Sequence, residues 1–251
     1  MGRWGLMASS RHLGDLTWPE AGTHEHATLL VVPLGATEQH GPHLPLSTDT
    51  LIAEALALEL AKRRDDVLVA PSIPYGSSGE HKGFSGTLSI GRDALAHVLI
   101  ELVRSADRFA GVVLVSAHGG NAEPLRRAVD LLCSEGRVVL SWWPRVRTAR
   151  SDAHAGWLET SMLLALTPRS VRLDSAEGGE TRPLSEIRDA LEKHGVAAVS
   201  PNGVLGDPRG ASAEAGREIF ESLVQDLCSA VAVRFGATNA GERLPGGAEL
   251  R

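Results

Sequence analysis

The stretch TLLVVPL at residues 28–34 runs directly into the loop GATEQHGPHLPLSTD at residues 35–49. The first segment is a continuous apolar run rich in β-branched residues, which predicts a strand buried on both faces. Apolar residues at helical spacing follow from Asp49 to Arg63, so a helix is predicted after the loop. Such a strand is typical of a parallel sheet covered by helices, and the loop that follows it then lies at the carboxyl edge of the sheet.

The same alternation continues along the chain. Further strands are predicted at residues 67–70, 111–117 and 137–142, and further helices at residues 92–109, 122–134, 156–166 and 214–235. Strands that alternate with helices at this spacing predict an α/β fold of three layers, α/β/α, with a mostly parallel sheet. No linker-like composition and no internal repeat interrupts residues 1–236, so a single domain is predicted there. The Gly-rich polar tail at residues 237–251 is expected to be disordered.

The composition restricts the class of protein. Of 251 residues, 43% are hydrophobic, which is enough for a sizeable core. The formal net charge of −6 argues against capture of nucleic acid or of an anionic membrane. No apolar run is long enough for a transmembrane helix or for the core of a signal peptide, so a cytoplasmic protein is expected. Cys133 and Cys228 lie in apolar, helix-like stretches and are expected to be buried thiols that form no disulfide.

Histidines and carboxylates collect in the loops that follow the predicted strands. The histidines are His40, His43, His81, His118 and His154, and the acids in the same regions are Glu38, Asp49, Glu80 and Glu159. The loops after parallel strands gather at the carboxyl edge of the sheet, where ligands bind. Imidazoles and carboxylates from several strand ends suit a zinc or other transition-metal site.

Each of these residues has a simpler explanation when it is taken alone. Helix capping would explain Asp49 or His154, solvation would explain His40 and the glutamates, and a glycine turn would explain His118. Trp142 and Trp143 fit either the core or a pocket. The other histidines are interpreted as structural or surface residues: His12, His24, His26, His97 and His194. Neither a nucleophile elbow nor a phosphate-binding glycine motif is present in the sequence.

Three blocks of the sequence together point to a known family. These are VPLGATEQHGPHLPLSTDT (32–50), SAHGGN (116–121) and HAGWLETS (154–161), with the Gly-rich loop PYGSSGEHKGFSGTLSIG (74–91) between the first two. In order and spacing they resemble the signature blocks of the creatininase family of metal-dependent amidohydrolases. The resemblance implies a creatininase-like fold and a dinuclear metal site.

The resemblance also assigns ligands. It implies that Glu38 binds one metal, that His40 binds the other, that Asp49 bridges both, and that His118 completes the first set. In creatininase a glutamate two residues after this last histidine binds the second metal, whereas this chain has Gly120 there. Glu159 is the candidate replacement. Two divalent ions per chain are expected, and such ligands accept zinc, iron or manganese.

The catalytic and substrate-binding residues follow from the same blocks. His154 matches the catalytic histidine of the family and is expected to move a proton from the attacking water to the leaving nitrogen, since its pKa lies near working pH. The backbone N–H groups of Gly119, Gly120 and Asn121 are expected to bind the oxyanion. Ser78, together with Glu80 and His81, is expected to face the site.

Within the family, GVAAVSPNGVLGDPRGASAEAGREIF (195–220) and GEHKGFSGTLSIG (79–91) resemble a peptidase branch. Members of that branch remove a modified C-terminal Val-Tyr dipeptide from a ribosomally made precursor peptide. The resemblance therefore implies a modified precursor peptide as substrate and a homo-oligomer, often a hexamer. The net charge and the lack of a long apolar run predict no nucleic-acid or membrane partner. Hydrolysis of creatinine or of a formamide is the alternative within the family. A non-catalytic binding module stabilised by metal is the alternative from another class.

Overall fold

A computed structural model describes residues 11–24, 26–146 and 152–237. Its centre is a sheet of four parallel strands in the order β2-β1-β3-β4. The strands are β1 Leu29–Leu34, β2 Val67–Val69, β3 Gly111–Ser116 and β4 Val139–Trp142. The helices are α1 Trp18–Gly22, α2 Thr48–Arg63, α3 Arg92–Ser105, α4 Ala122–Ser134, α5 Trp157–Leu166, α6 Leu184–His194, α7 Val196–Val199 and α8 Ala213–Phe235.

Helices cover both faces of the sheet, as the apolar strands predict. Along β1, Leu29 and Val31 pack into a core shared with α2, α5 and α8. Leu30, Val32 and Leu34 point the other way into a core shared with α3 and α4. Side chains alternate in this way because successive residues of a strand point to opposite faces. The predicted three-layer α/β/α fold with a parallel sheet is confirmed.

The region between α5 and α8 differs most from the sequence prediction, which contains neither α6 nor α7. Ile187, Val196 and Leu205 form a small third core in this region. Ile187 is the only buried residue of α6 among those described, so the apolar periodicity was too weak to reveal the helix. This segment nevertheless packs beside the candidate site.

The prediction of two buried cysteines is wrong for Cys133, and the prediction of a disordered tail is not tested. Cys133 was expected to be buried but is exposed, and Cys228 is half-buried. Cys133 follows the buried Leu132 on α4, and one residue turns a helix by about 100° toward the outer face. Apart from Ala237, the tail at 237–251 lies outside the described residues, so its disorder and the domain bounds remain predictions. In the described ranges, no helix has the length and apolarity needed to cross a membrane.

A close backbone approach brings the end of β1 against the first turn of α2. A Cβ atom added at Gly35 would fall on the backbone of Thr50. The Gly35 carbonyl also accepts a 3.1 Å hydrogen bond from Nδ2 of Asn121, in the loop after β3. The absence of a side chain at Gly35 therefore allows the loops after two strands to meet the start of α2.

We expect Gly35→Ala to lower the free energy of unfolding by about 1–3 kcal/mol, because the added methyl group must push the backbone of α2 away. Urea denaturation would measure the change. Gly22→Ala is the matched control, since a Cβ atom there meets no heavy atom within 4 Å among the described residues. Equal stability of the two variants would contradict the close approach.

Candidate metal centre

Residues from separate segments meet at the carboxyl edge of the sheet. Glu38 and His40 lie in the loop after β1, and Asp49 lies in the first turn of α2. His118 lies two residues after the end of β3, and Glu159 lies in the first turn of α5. The side chains of Glu38, His40, Asp49 and His118 are buried, and that of Glu159 is 17% exposed. The structure thus brings together all five residues that were predicted to bind metal.

Asp49 lies between two groups of donor atoms. Its Oδ2 is 3.2 Å from Nδ1 of His118, which is itself 3.3 Å from Oε1 of Glu38. Its Oδ1 is 3.1 Å from Nε2 of His40, which is 4.0 Å from Oε2 of Glu159. Donor atoms about 2.0–2.2 Å from one tetrahedral ion are roughly 3.3–3.6 Å apart. Each group therefore has nearly the spacing of a ligand set, and Asp49 belongs to both.

Backbone carbonyls orient the two imidazoles that flank Asp49. Nδ1 of His40 donates to the Glu38 carbonyl over 3.1 Å, and Nε2 of His118 donates to the Ser77 carbonyl over 3.0 Å. We assign these tautomers from the hydrogen-bond network. Each ring then directs its other nitrogen toward the carboxylates, which is the usual arrangement of a metal-binding histidine.

Several buried carboxylate oxygens have histidine nitrogens nearby but no hydrogen-bond partner among the described residues. Oε1 and Oε2 of Glu38 and Oδ2 of Asp49 are buried and accept no hydrogen bond from the described residues. Burying an ionised carboxylate is costly unless a cation or hydrogen-bond donors compensate. Carboxylates and imidazoles without thiolates suit zinc, iron or manganese, so the residues present fit the divalent ions that the sequence implies.

Among the described residues, three triplets have donor atoms that lie within 4.8 Å of one another inside each triplet. They are Glu38, His40 and Asp49; His40, His154 and Glu159; and Glu38, His81 and His154. Only the first consists entirely of implied ligands, since the second and third contain His154, which is predicted to be the catalytic histidine. The third contains His81, to which the sequence assigned no ligand role.

The charges of the site favour bound cations. Burial disfavours a charged imidazole, but Asp49, Glu159 and Glu38 outweigh it and raise the pKa of His40 to about 10. Burial likewise opposes ionisation of Glu38, yet His118 lowers the pKa of that carboxyl to about 2. Without metal, protons on the histidines therefore balance the buried carboxylates, and a divalent ion would replace them.

Glu159 is held by the turn that precedes its helix. Its Oε2 accepts a 2.6 Å hydrogen bond from the backbone N–H of Ala155, a residue with φ of 53°. Burial raises the pKa of the Glu159 carboxyl to about 7. A nearby cation would keep this carboxylate ionised at neutral pH.

Gly120 has no room for the glutamate that creatininase has at this place. A Cβ atom there would collide with the Ser77 carbonyl and with Nε2 of His118, whose hydrogen bond orients the His118 ring. The chain therefore cannot supply a ligand from this position without moving His118. Besides Asp49, Glu159 is the carboxylate near His40, with Oε2 4.0 Å from Nε2, so its role as the replacement ligand stays a prediction.

His154 lies at the same edge of the sheet, just before α5. Its Nε2 donates to the Gln39 carbonyl over 2.7 Å, and its Nδ1 is 3.8 Å from Oε1 of Glu38. Burial, followed by repulsion from His40 and His81, holds the pKa of His154 well below its usual value. His154 therefore presents a neutral, unprotonated nitrogen to the site, but its pKa lies below the value near working pH that the sequence analysis expected, because burial and the neighbouring imidazoles disfavour its charged form.

The residues predicted to bind substrate have different surroundings. Gly119 borders the cavity, and a Cβ atom there would meet nothing within 4 Å among the described residues. Asn121 is buried, and its amide bonds to Ser77, Gly35 and Ser116. Its backbone N–H also donates to the His118 carbonyl, so substrate contact by Asn121 would have to displace a protein hydrogen bond. Ser78 is fully buried, and its Oγ has no hydrogen-bond partner among the described residues.

A cavity of about 320 Å³ opens beside the carboxylates. Asp49, His118, His154 and Glu159 form its polar end, and Leu125, Trp143, Pro144, Val146 and Leu158 form its apolar wall. The sequence left the roles of Trp142 and Trp143 open between the core and a pocket, and the structure gives them different surroundings. Trp143 lines the cavity, whereas Trp142 is buried and donates to Asp226 of α8.

Sequence reasoning assigned no role to two residues that the structure brings into the site. Gln39 is buried between Glu38 and His40, and its amide reaches His81. His43 binds Oγ1 of Thr160, beside Glu159, over 2.8 Å. The position of Gln39 between two implied ligands was the signal that could have identified it.

The chain is similar to known proteins over most of its length. The family model described as Creatininase: Creatinine amidohydrolase matches residues 14–231. The mycofactocin precursor peptide peptidase of Mycobacterium ulcerans (strain Agy99) is 47% identical over 225 residues, which cover 86% of each chain. The creatinine amidohydrolase of Pseudomonas putida is 29% identical over 268 residues, covering 92% of this chain and 100% of that protein.

A solved structure named Creatininase Mn has a TM-score of 0.75 and 26% identity, and covers 91% of this chain and 100% of that chain. Both the sequence and the fold are therefore similar to those of creatininases over most of the chain. We conclude that this chain belongs to the creatininase family.

Proposed function

We propose that this chain is a metal-dependent peptidase that cleaves an amide bond near the end of a ribosomally made precursor peptide. Its 47% identity to mycofactocin precursor peptide peptidases supports this substrate over those of the more distant relatives. The modified Val-Tyr dipeptide implied by the resemblance is the expected product. The observation that carries the proposal is the pair of donor groups that share Asp49 at the polar end of a cavity.

Two divalent ions per chain are part of the proposal. Glu38, Asp49 and His118 would hold one ion, and His40, Asp49 and Glu159 would hold the other. Such ions, when bound, acidify water and polarise a carbonyl group, which is the chemistry that amide hydrolysis needs. The buried carboxylate oxygens that accept no hydrogen bond from the described residues support this assignment.

His154 performs the proton transfers in this proposal. Its Nε2–H is held by the Gln39 carbonyl, so Nδ1 can accept a proton from the attacking water and deliver it to the leaving nitrogen. The low pKa of the neutral ring keeps this nitrogen unprotonated before the reaction. The backbone N–H of Gly119, at the cavity wall, would bind the developing oxyanion.

The cavity supports a dipeptide more than a small ring. Its volume of about 320 Å³ lies within the range of about 300–1,000 Å³ typical of sites for drug-sized ligands. Its apolar wall, with Trp143 and Leu158, suits a product with valine and tyrosine-derived side chains. Creatinine, a single small ring, would leave most of this space empty.

A binding module with a purely structural metal fits these residues less well. Structural zinc sites are closed and usually rich in cysteine. Here the donors are carboxylates and imidazoles, and four of these side chains line a cavity. We also propose a cytoplasmic homo-oligomer, with a hexamer as the expected form, which native mass measurement would test.

The metal assignment predicts the stoichiometry of two variants. Wild type should hold two metal ions per chain, Asp49→Ala should lose affinity for both, and Glu159→Gln should keep the ion bound by Glu38 and His118. The reason is that Asp49 belongs to both donor groups and Glu159 to one. Elemental analysis of identically prepared proteins would measure this. Full occupancy in Asp49→Ala would contradict the shared carboxylate.

The base assignment predicts a loss of turnover without a loss of metal. His154→Ala should lower kcat by about 10²–10⁴-fold, the usual contribution of a general acid–base group. Its metal content should remain that of wild type. His97→Ala, at an exposed position on α3, is the control and should match wild type. Loss of metal from His154→Ala would reassign His154 as a ligand.

The substrate proposal has a direct test. Metal-loaded protein should release a C-terminal dipeptide from the modified precursor peptide, and it should leave creatinine and a formamide unchanged under the same conditions. Mass spectrometry would identify the products. Hydrolysis of creatinine at a comparable rate would favour the small-ring alternative, and no hydrolysis by the metal-loaded protein would favour the binding module.

A further inference from the structure

The Gln39 side chain is held in one orientation by two backbone groups. Its Oε1 accepts a 2.8 Å hydrogen bond from the Gly41 N–H, and its Nε2 donates to the Gly203 carbonyl over 3.0 Å. Because an N–H can only donate and a carbonyl can only accept, these two contacts establish which end of the amide is the nitrogen. The second N–H of that nitrogen is then available to His81.

His81 receives that hydrogen bond. Nε2 of Gln39 lies 2.9 Å from Nδ1 of His81, so Nδ1 must be the unprotonated acceptor. The proton of the neutral ring is therefore on Nε2, which lies 3.3 Å from Oε1 of Glu38. His81 thus directs an N–H group, and no lone pair, at this carboxylate.

Three other histidines of the site, His40, His118 and His154, have the opposite arrangement. The outer nitrogens of His40, His118 and His154 each donate to a backbone carbonyl, at Glu38, Ser77 and Gln39 respectively. Their inner nitrogens can therefore bind a metal or accept a proton. His81 belongs to a triplet with metal-binding spacing, but its protonated Nε2 cannot be a ligand.

Gln39 contacts two histidines by two different groups. Its side chain donates to His81, whereas its backbone carbonyl accepts the Nε2–H of His154. The His81 and His154 rings lie with their centroids 4.5 Å apart. Nε2 of Gln39 also lies 3.1 Å from Nε2 of His154, but both N–H groups of the amide are already used.

We propose that Gln39 is a positioning residue that keeps the Nε2–H of His81 directed toward the Glu38 carboxylate, 3.3 Å away, and leaves His154 able to accept a proton. His81 then orients the Glu38 carboxylate and stays outside the metal coordination. The effect on turnover rests on the proposed peptidase function, whereas the tautomers and the effect on metal binding do not.

The Gly203 contact shows why the segment before α8 belongs to the site. Gly203 has φ of 81°, and a Cβ atom there would collide with the Gln39 amide. Two residues later, Leu205 pairs with the backbone of His154 as an isolated antiparallel bridge. This segment therefore contacts both Gln39, through Gly203, and His154, through Leu205.

Gln39→Glu tests the donor with little change of shape. It replaces both N–H groups by an oxygen, so His81 should become protonated on Nδ1, while His154 should keep its proton on Nε2. Imidazole ¹⁵N spectra of zinc-loaded protein would show the two tautomers, with the His81 signals identified from a His81→Gln variant. An unchanged His81 tautomer would overturn the proposal.

Turnover and metal binding give an independent readout. Groups that hold a ligand in place typically contribute 10–100-fold to activity or metal affinity. We therefore expect Gln39→Glu to lower kcat and zinc affinity by about 10–100-fold with KM little changed. Asn202→Ala is the control, since Asn202 supports the same segment through Gly178 and Val204 without touching His81. A changed His81 tautomer in Asn202→Ala would overturn the specific role of the amide.

A second pair of variants remains informative if Gln39→Glu does not fold. His81→Gln keeps an N–H group near the Nε2 position, whereas His81→Leu removes it. We expect His81→Gln to keep the wild-type metal stoichiometry and His81→Leu to bind zinc at least tenfold more weakly. If His81 were a ligand, both variants would lose metal, which would overturn the proposal. Neither measurement needs the peptide substrate, so the result stands apart from the test of peptidase activity.

Discussion

The burial of Asp49 and Glu38 is the constraint on which the site depends. These carboxylates are almost fully excluded from water, and three of their oxygens accept no hydrogen bond from the described residues. Ionised carboxylates in such surroundings need positive charge nearby. In the protein without metal, the raised pKa values of His40 and His118 supply it. The same geometry suits divalent ions, and the surrounding hydrogen bonds are arranged to keep the donor atoms in place.

The fold makes this burial possible by bringing loops together without side chains between them. Gly35 lets the end of β1 lie against α2, and Gly120 lets the Ser77 carbonyl reach His118. Asn121 then joins the loops after β1, β2 and β3 through its amide. The positions of the glycines and of Asn121 are therefore as important for the site as the ligands.

The hydrogen bonds around the histidines divide their roles. Rings whose outer nitrogen meets a carbonyl present a lone pair to the site, as His40, His118 and His154 do. His81 meets an amide donor and presents an N–H. Residue type alone does not distinguish these rings, since either nitrogen of a neutral imidazole can carry the proton.

Much of this was predictable from the sequence because it depends on local pattern. Buried strands and the amphipathic α2, α3, α4 and α8 follow from hydrophobic periodicity. The motif blocks identified the family and singled out six residues, proposed as metal ligands and base, that the fold brings to one edge of the sheet. The local pattern did not predict α6, because this helix buries few apolar residues. It also did not predict the exposure of Cys133, because the elements packed against α4 decide which face of the helix is buried. The role of Gln39, the crowding at Gly120 and the commitment of Asn121 depend on contacts between residues far apart in sequence. Which nitrogen of each histidine faces the carboxylates was therefore decided by the tertiary structure, because a hydrogen-bond partner from a distant segment fixes each proton.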